Sequence, residues 1–118
     1  SITGTIADIP SGQQKSGEMA LRVLESETIL YSIAKKWDES DEEARQEMKA
    51  ELGAVKMSVV NKALEIVDIA MRIVGARSLS AQSPLQRYYR DVRAGLHNPP
   101  MDDMTMMLLA SESLKKLA

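Results

Sequence analysis

The 118-residue sequence contains no cysteine and one histidine, His97. The absence of thiols excludes a disulfide framework, a zinc–thiolate site and a cysteine nucleophile together. A single histidine excludes the paired-histidine spacing of many metal sites. Positive charge is not in surplus: 15 Lys and Arg against 17 Asp and Glu leave a formal charge of -2, too little to hold a polyphosphate non-specifically. No apolar run approaches the roughly 20 residues that span a bilayer. The opening SITGTIADIPSG lacks the basic start and apolar centre of a secretory signal. No G-x-G-x-x-G or P-loop pattern occurs. These absences predict a cytoplasmic chain that binds neither nucleic acid nor membrane.

What is present is helix-forming. At 44% hydrophobic and 27% charged residues, the composition is that of an ordinary globular chain, and the length fits a single domain over 1–118. The first nine residues hold no helical period and read as a linker. Pro10 and Ser11 then open a first helix, with Ser11 and Gln14 in capping-box register. Ala20, Val23, Leu24, Glu27, Leu30, Tyr31, Ala34 and Trp37 recur along one face of it. Glu27 inside that stripe calls for a buried or interfacial partner. Ser40 with Glu43 repeats the start signal for a second helix running to Gly75, with a seam of Ala44, Met48, Leu52, Val55, Val59, Ala63, Ile66, Ala70 and Ile73. From Val59 onward this helix is apolar nearly all round, and such a helix is surrounded by protein. Val60, Leu64, Val67 and Met71 lie off the seam and should face another helix or a partner chain.

Gly75 stops the long helix at a position where positive φ is cheapest. ARSLSAQ is read as a loop. Ser83 caps a third helix, Pro84 takes its first position and Gln86 completes a capping box. HNPP forces an extended connection. Asp102 and Asp103 favour a fourth helix start, whose face is Met104, Met107, Leu108, Leu114 and Leu117. Four helices with short connections predict an all-α, up-and-down four-helix bundle. No metal is expected: the acidic pairs sit at helix starts, where the dipole accounts for them, and inward Glu-x-x-His pairs are absent. Met101, Met104, Met106 and Met107 are either an adaptable groove or core packing with an oligomer seam.

The stretch PLQRYYRDVRAGLHNPPMDD, residues 84–103, is basic and aromatic before it breaks. Arg87, Arg90 and Arg93 step by three and drift around the helix, and Tyr88 and Tyr89 are adjacent rather than spaced as a stacking platform. Anchorage of the helix by ion pairs from Arg90 and Asp91 is therefore preferred to nucleic-acid binding, since clustered arginines also serve carboxylate and phosphate recognition.

IVGARSLSAQSPLQRYYRD, residues 73–91, resembles the C-terminal helical domain of acyl-CoA dehydrogenases. In that family a long helix ends in a Gln-x-x-Gly-Gly loop, and a proline-started helix with Arg-Asp follows. The spacing from Gly75 to Arg90-Asp91 matches without a gap, and the resemblance extends over nearly all of the chain. It implies a parent enzyme about three times longer, in which FAD lies between domains and a neighbouring subunit's C-terminal domain contacts its pyrophosphate or adenine end. It further implies a homodimer or homotetramer, and oxidation of the α,β carbon–carbon bond of an acyl-CoA, with a glutamate taking the α proton. On this resemblance Arg72, Gly75, Ala76 and Arg77 are the FAD-contacting residues.

Departures from the pattern are specific. Arg72 replaces the family's glutamine, and Ala76 its second glycine. Where many members carry the catalytic glutamate this sequence has Pro99, which cannot act as a base; the threonine and second glutamine positions fall on Met101 and Asp103. The isolated chain is therefore expected to be inactive, with no catalytic residue beyond His97 as a weak candidate against the ordinary reading of a capping or interfacial histidine. Two alternatives stand beside the dehydrogenase domain: a domain of a related flavin monooxygenase, and a non-catalytic helical module that dimerises through the long helix.

Overall fold

The computed structural model describes residues 10–118; the linker expected over the first nine lies outside the described residues. Among the described residues there are helices and no strands. Helix α1 spans Pro10–Glu39, a one-turn α2 Glu42–Gln46, α3 Lys49–Val74, α4 Pro84–Arg93 and α5 Asp102–Leu117. Short 3-10 turns cover Gly75–Leu79 and Ala94–Leu96. The all-α bundle expected from the sequence is present in open form: α1, α4 and α5 all find their main packing on α3. The molecule measures 57 × 27 × 25 Å.

Several helix ends differ from the sequence reading. Ser11 lies inside the first turn of α1 and not ahead of it, so it caps nothing. The single helix expected from Ser40 to Gly75 is two, because Glu47 and Met48 take ψ values near zero, and with that turn Met48 reaches the core at 2% exposure. The cap of α2 is Asp41, whose Oδ1 accepts from the Ala44 N–H at 2.8 Å. Ser40 instead donates back to the Lys36 carbonyl at the end of α1. Ser83 does cap α4, accepting from Leu85 N–H. Its own N–H bonds the Ser80 carbonyl, so the expected capping box needs no return bond from Gln86. The segment read as a loop after Gly75 begins with a 3-10 turn.

Burial concentrates on α3. The core is Met48, Ala50, Val55 and Ile69, joined by Thr105 of α5 at 1% exposure. Two glycines permit the closest approaches. A Cβ on Gly53 would stand 2.9 Å from Thr105 Oγ1, and one on Gly95 would stand 3.0 Å from Val60 Cγ1. A methyl group at Gly53 would force the Thr105 side chain to shift, and one at Gly95 would press Val60 back by a few tenths of an ångström, so the absence of side chains here lets α5 and the end of α4 seat closely on α3.

Helix α1 is turned the other way from the sequence reading. Beyond its first turns its half-buried positions are Met19, Arg22, Ser26, Ile29 and Ile33, whereas Ala20, Val23, Leu24, Glu27, Leu30, Tyr31, Ala34 and Trp37 are exposed. Glu27 is thus a surface residue within an apolar surface stripe. Polar contacts hold the α1–α3 pair: Arg22 Nε to Glu65 Oε2 at 2.5 Å, and Lys36 Nζ to both Glu51 oxygens at 2.7 and 2.8 Å. The Glu65 hydrogen bond raises the Arg22 pKa above its ordinary value. Arg45 closes the turn, donating to the Trp37 carbonyl at 2.9 Å with its guanidinium 4.7 Å from the indole centroid. The expected face of α5 is likewise outside: Met104, Met107, Leu108, Leu114 and Leu117 are exposed, as are Met101 and Met106. These methionines are not core packing of this chain.

Two outcomes test this packing. Gly53→Val should cost about 2 kcal/mol by overpacking. Thr105→Ala alone should be near neutral, because its buried hydroxyl has no partner, and it should recover part of the Gly53→Val loss; simple additivity in urea titrations of the double variant would refute the contact. On α1, Leu24→Glu with Tyr31→Glu should change stability by less than about 0.5 kcal/mol, whereas Ile29→Glu with Ile33→Glu should lose more than about 3 kcal/mol. Thermal melts showing the reverse order would put the other face against α3.

Candidate functional site

The residues singled out in the sequence fall into two groups at different heights on α3. The first is the turn at its C-terminal end. Gly75 ends α3 with φ 79 and ψ -152, a combination that glycine adopts and other residues essentially do not. Its N–H bonds the Met71 carbonyl, and nothing lies within 4 Å of where a Cβ would point. Gly75, Ala76 and Arg77 are exposed, and the turn is rooted by Ser78, buried to 2% exposure. Arg72, one turn earlier, pairs with Asp68 at 2.9 Å on the surface of the same helix. Such an exposed i,i+4 pair contributes well under about 1 kcal/mol, so the guanidinium exchanges partners at little cost. Arg77 makes no ion pair among the described residues.

The second group is the break after α4. His97 is exposed and closes the Ala94–Leu96 turn through its own N–H to the Ala94 carbonyl at 3.0 Å. Pro99 and Pro100 follow, joined by a cis peptide. This segment is tied to α3 at Lys56, whose Nζ donates to the carbonyls of Asn98 and of Pro100, the latter at 2.8 Å. Asn61 adds a bond from Nδ2 to Asp102 Oδ2 at 3.0 Å. Lys56 and Val74 are 18 residues apart on one helix, so the two groups are separated by about 27 Å along α3. The structure does not bring them into one site. Sequence reading missed Lys56 and Asn61 because their partners lie 42 and 41 positions away, and no local spacing signals that contact.

The arginine-rich helix is organised differently from the expected ion pairs. Arg90 and Asp91 are exposed and unpaired among the described residues. Arg93 lies 3.4 Å from the Tyr89 ring centroid and donates to the Tyr89 carbonyl, and Arg87 stands 5.5 Å from Tyr88. Stacking of this kind satisfies the guanidinium within its own helix. The helix carries its charge internally and presents Arg90 outward. Among the described residues no cluster of acidic or histidine side chains could hold a metal ion, and no helix is long and apolar enough to cross a membrane.

With the open turn, the tethered break and the exposed apolar faces in view, comparison with known proteins gives the decisive finding. The family described as "Acyl-CoA dehydrogenase, C-terminal domain" matches residues 2–98. The chain belongs to this acyl-CoA dehydrogenase family. It is 52% identical over 115 residues to the Bacillus subtilis (strain 168) protein named "Putative acyl-CoA dehydrogenase YdbM". The alignment takes in 98% of this chain and 30% of that relative, so the chain spans about a third of the relative's length.

Membership implies a flavin cofactor, and the Gly75–Arg77 turn of this acyl-CoA dehydrogenase-family domain fits the anionic end of one. Its backbone is open to solvent, no side chain blocks approach at Gly75, and Arg77 makes no ion pair among the described residues. The special backbone of Gly75 has its own consequence. Gly75→Ala meets no steric obstacle, yet it should destabilise the chain by about 1–3 kcal/mol through backbone strain alone. A melt unchanged from the parent sequence would mean that the turn tolerates a different backbone.

Proposed function

We propose that this chain is the C-terminal domain of an FAD-dependent, acyl-CoA dehydrogenase-like oxidoreductase, contributing an FAD contact and much of the subunit interface. The observation that carries this reading is the imbalance of the apolar surface. Among the described residues four apolar residues are buried, while sixteen large apolar side chains are exposed, among them the α1 and α5 faces. Monomeric proteins rarely leave contiguous apolar faces of this kind in water. A domain that packs against the rest of a longer chain, and against a second subunit in a homodimer or homotetramer, has that surface pattern.

Bound FAD supplies a hydride acceptor for oxidation of the α,β bond of an acyl-CoA. In this reading Gly75 and Ala76 offer backbone to the phosphates, and Arg77 and a re-directed Arg72 give charge-assisted bonds. At the family's glutamate position the chain has Pro99, which has no ionisable group to act as a base, and alone the chain is inactive. The same residue favours one second reading, a flavin monooxygenase parent that needs no base at this position. The parent is read as a cytoplasmic enzyme.

In the full-length protein, Arg72→Ala combined with Ala76→Val should weaken FAD retention by about tenfold, the loss of one or two charge-assisted bonds, without lowering helicity. Unchanged flavin occupancy and affinity would leave the turn structural. Acyl-CoA-dependent dye reduction under anaerobic conditions supports the dehydrogenase, and strict oxygen dependence the monooxygenase. A colourless parent that ignores FAD would point instead to a non-catalytic dimerisation module.

A further inference from the structure

Helix α5 meets the rest of the molecule along one edge. Its buried and half-buried positions are Asp102, Thr105 and Leu109, and every residue from Ala110 to Ala118 is exposed. Thr105 is the residue that faces Gly53 of α3, and beyond it α5 continues for about 18 Å to Leu117. A helical stretch this short is marginal in water without a packed face. Leu114 and Leu117 nevertheless stand 66% and 81% exposed.

The outward side of the helix is ordered. Away from the α3 contact, Asp103, Met107, Ala110, Leu114 and Leu117 follow one another at steps of four, three, four and three, the spacing of a coiled-coil seam. Met107 and Leu114 are large and Ala110 between them is small, so a facing helix can come close at the middle of the seam. Met104 and Met106 are exposed beside it. Charge is divided by end: Asp102 and Asp103 open the helix, and Lys115 and Lys116 close it. Neither Asp103 nor the two lysines makes an ion pair among the described residues.

Seam and charge together specify the partner. A second α5 laid antiparallel on the first brings Asp103 of each copy to Lys115 and Lys116 of the other and sets the two helix dipoles in opposition. A parallel copy would instead put like charges side by side at both ends. Another surface of the parent would need only an apolar match, whereas an acidic start and a basic end are completed by the same helix reversed. We propose that α5 is a self-pairing element, which joins two copies of the protein through an antiparallel α5–α5 contact along Met107, Ala110 and Leu114. The pairing rests on the subunit-interface part of the reading above and names the surface and the orientation.

Sedimentation velocity on the full-length protein tests it. Met107→Glu with Leu114→Glu should raise the dissociation constant of the assembly by about a hundredfold, because the seam would bury unpaired charge, with helicity and flavin content kept. Asp103→Lys alone, and Lys115→Glu with Lys116→Glu, should each weaken association by about tenfold at low salt. The three charge changes together should restore most of it, although they oppose the dipole of their own helix. An oligomeric, flavin-bearing wild type whose size ignores the two glutamates would overturn the pairing and leave the oxidoreductase reading intact. Charge variants that dissociate without rescue in the triple variant would overturn it too, and point to another part of the parent as the cover of α5. A monomeric wild type would sink the pairing together with the subunit interface. Rescue in an oligomeric wild type that carries no flavin would support the pairing and sink the oxidoreductase reading instead.

Discussion

Helices α4 and α5 depend on how closely they can approach α3. The buried surface of α3 is small where contact is tightest, with Gly53 facing Thr105, and its Val60 is met by a glycine on the opposing segment. Packing at these distances is decided by the presence or absence of a single methyl group. The two approaches sit seven residues apart on α3, so they align α5 and the end of α4 on neighbouring turns of one helix. The polar ties from Lys56 and Asn61 fall between and beside them. Remove the small residues and the loop at His97 loses its support along with the helix.

The pairing of α1 with α3 follows a different logic. Helix α1 presents to α3 a mixed face whose ion pairs at Arg22 and Lys36 are weak individually. Its more apolar stripe looks outward. An isolated domain would gain by turning that stripe inward; a domain built to be covered would not. The exposed methionines and leucines of α5 repeat the same arrangement at the other side of the molecule. Family membership and coverage of 30% of the relative fit the proposal that these faces are covered by other parts of a longer parent protein.

The α3 axis also organises the candidate chemistry. Its C-terminal end carries the open Gly75 turn with Arg72 and Arg77, and its middle carries the anchor for the His97 segment. A rigid helix keeps two such places at a constant separation without any loop spanning between them. The Tyr89–Arg93 stack stiffens α4 from within, so that the short helix delivers the chain to Gly95 without relying on ion pairs to its neighbours.

Much of this was legible from sequence. Helical periodicity and the punctuation at Pro10, Gly75, Ser83-Pro84 and Asp102-Asp103 determine an all-α chain and most of its boundaries, because capping and backbone preference act within a few residues. The motif from Gly75 to Arg90-Asp91 determined the family for the same reason: its residues are close together in the chain. Two things were decided only by the tertiary structure. Which face of α1 and of α5 is buried depends on the surface offered by α3, and a stripe of apolar residues reads alike whether it meets the core or a missing neighbour. The clamp of Lys56 on Asn98 and Pro100 joins positions more than forty residues apart, and proximity of that kind exists only once α3, α4 and α5 have packed.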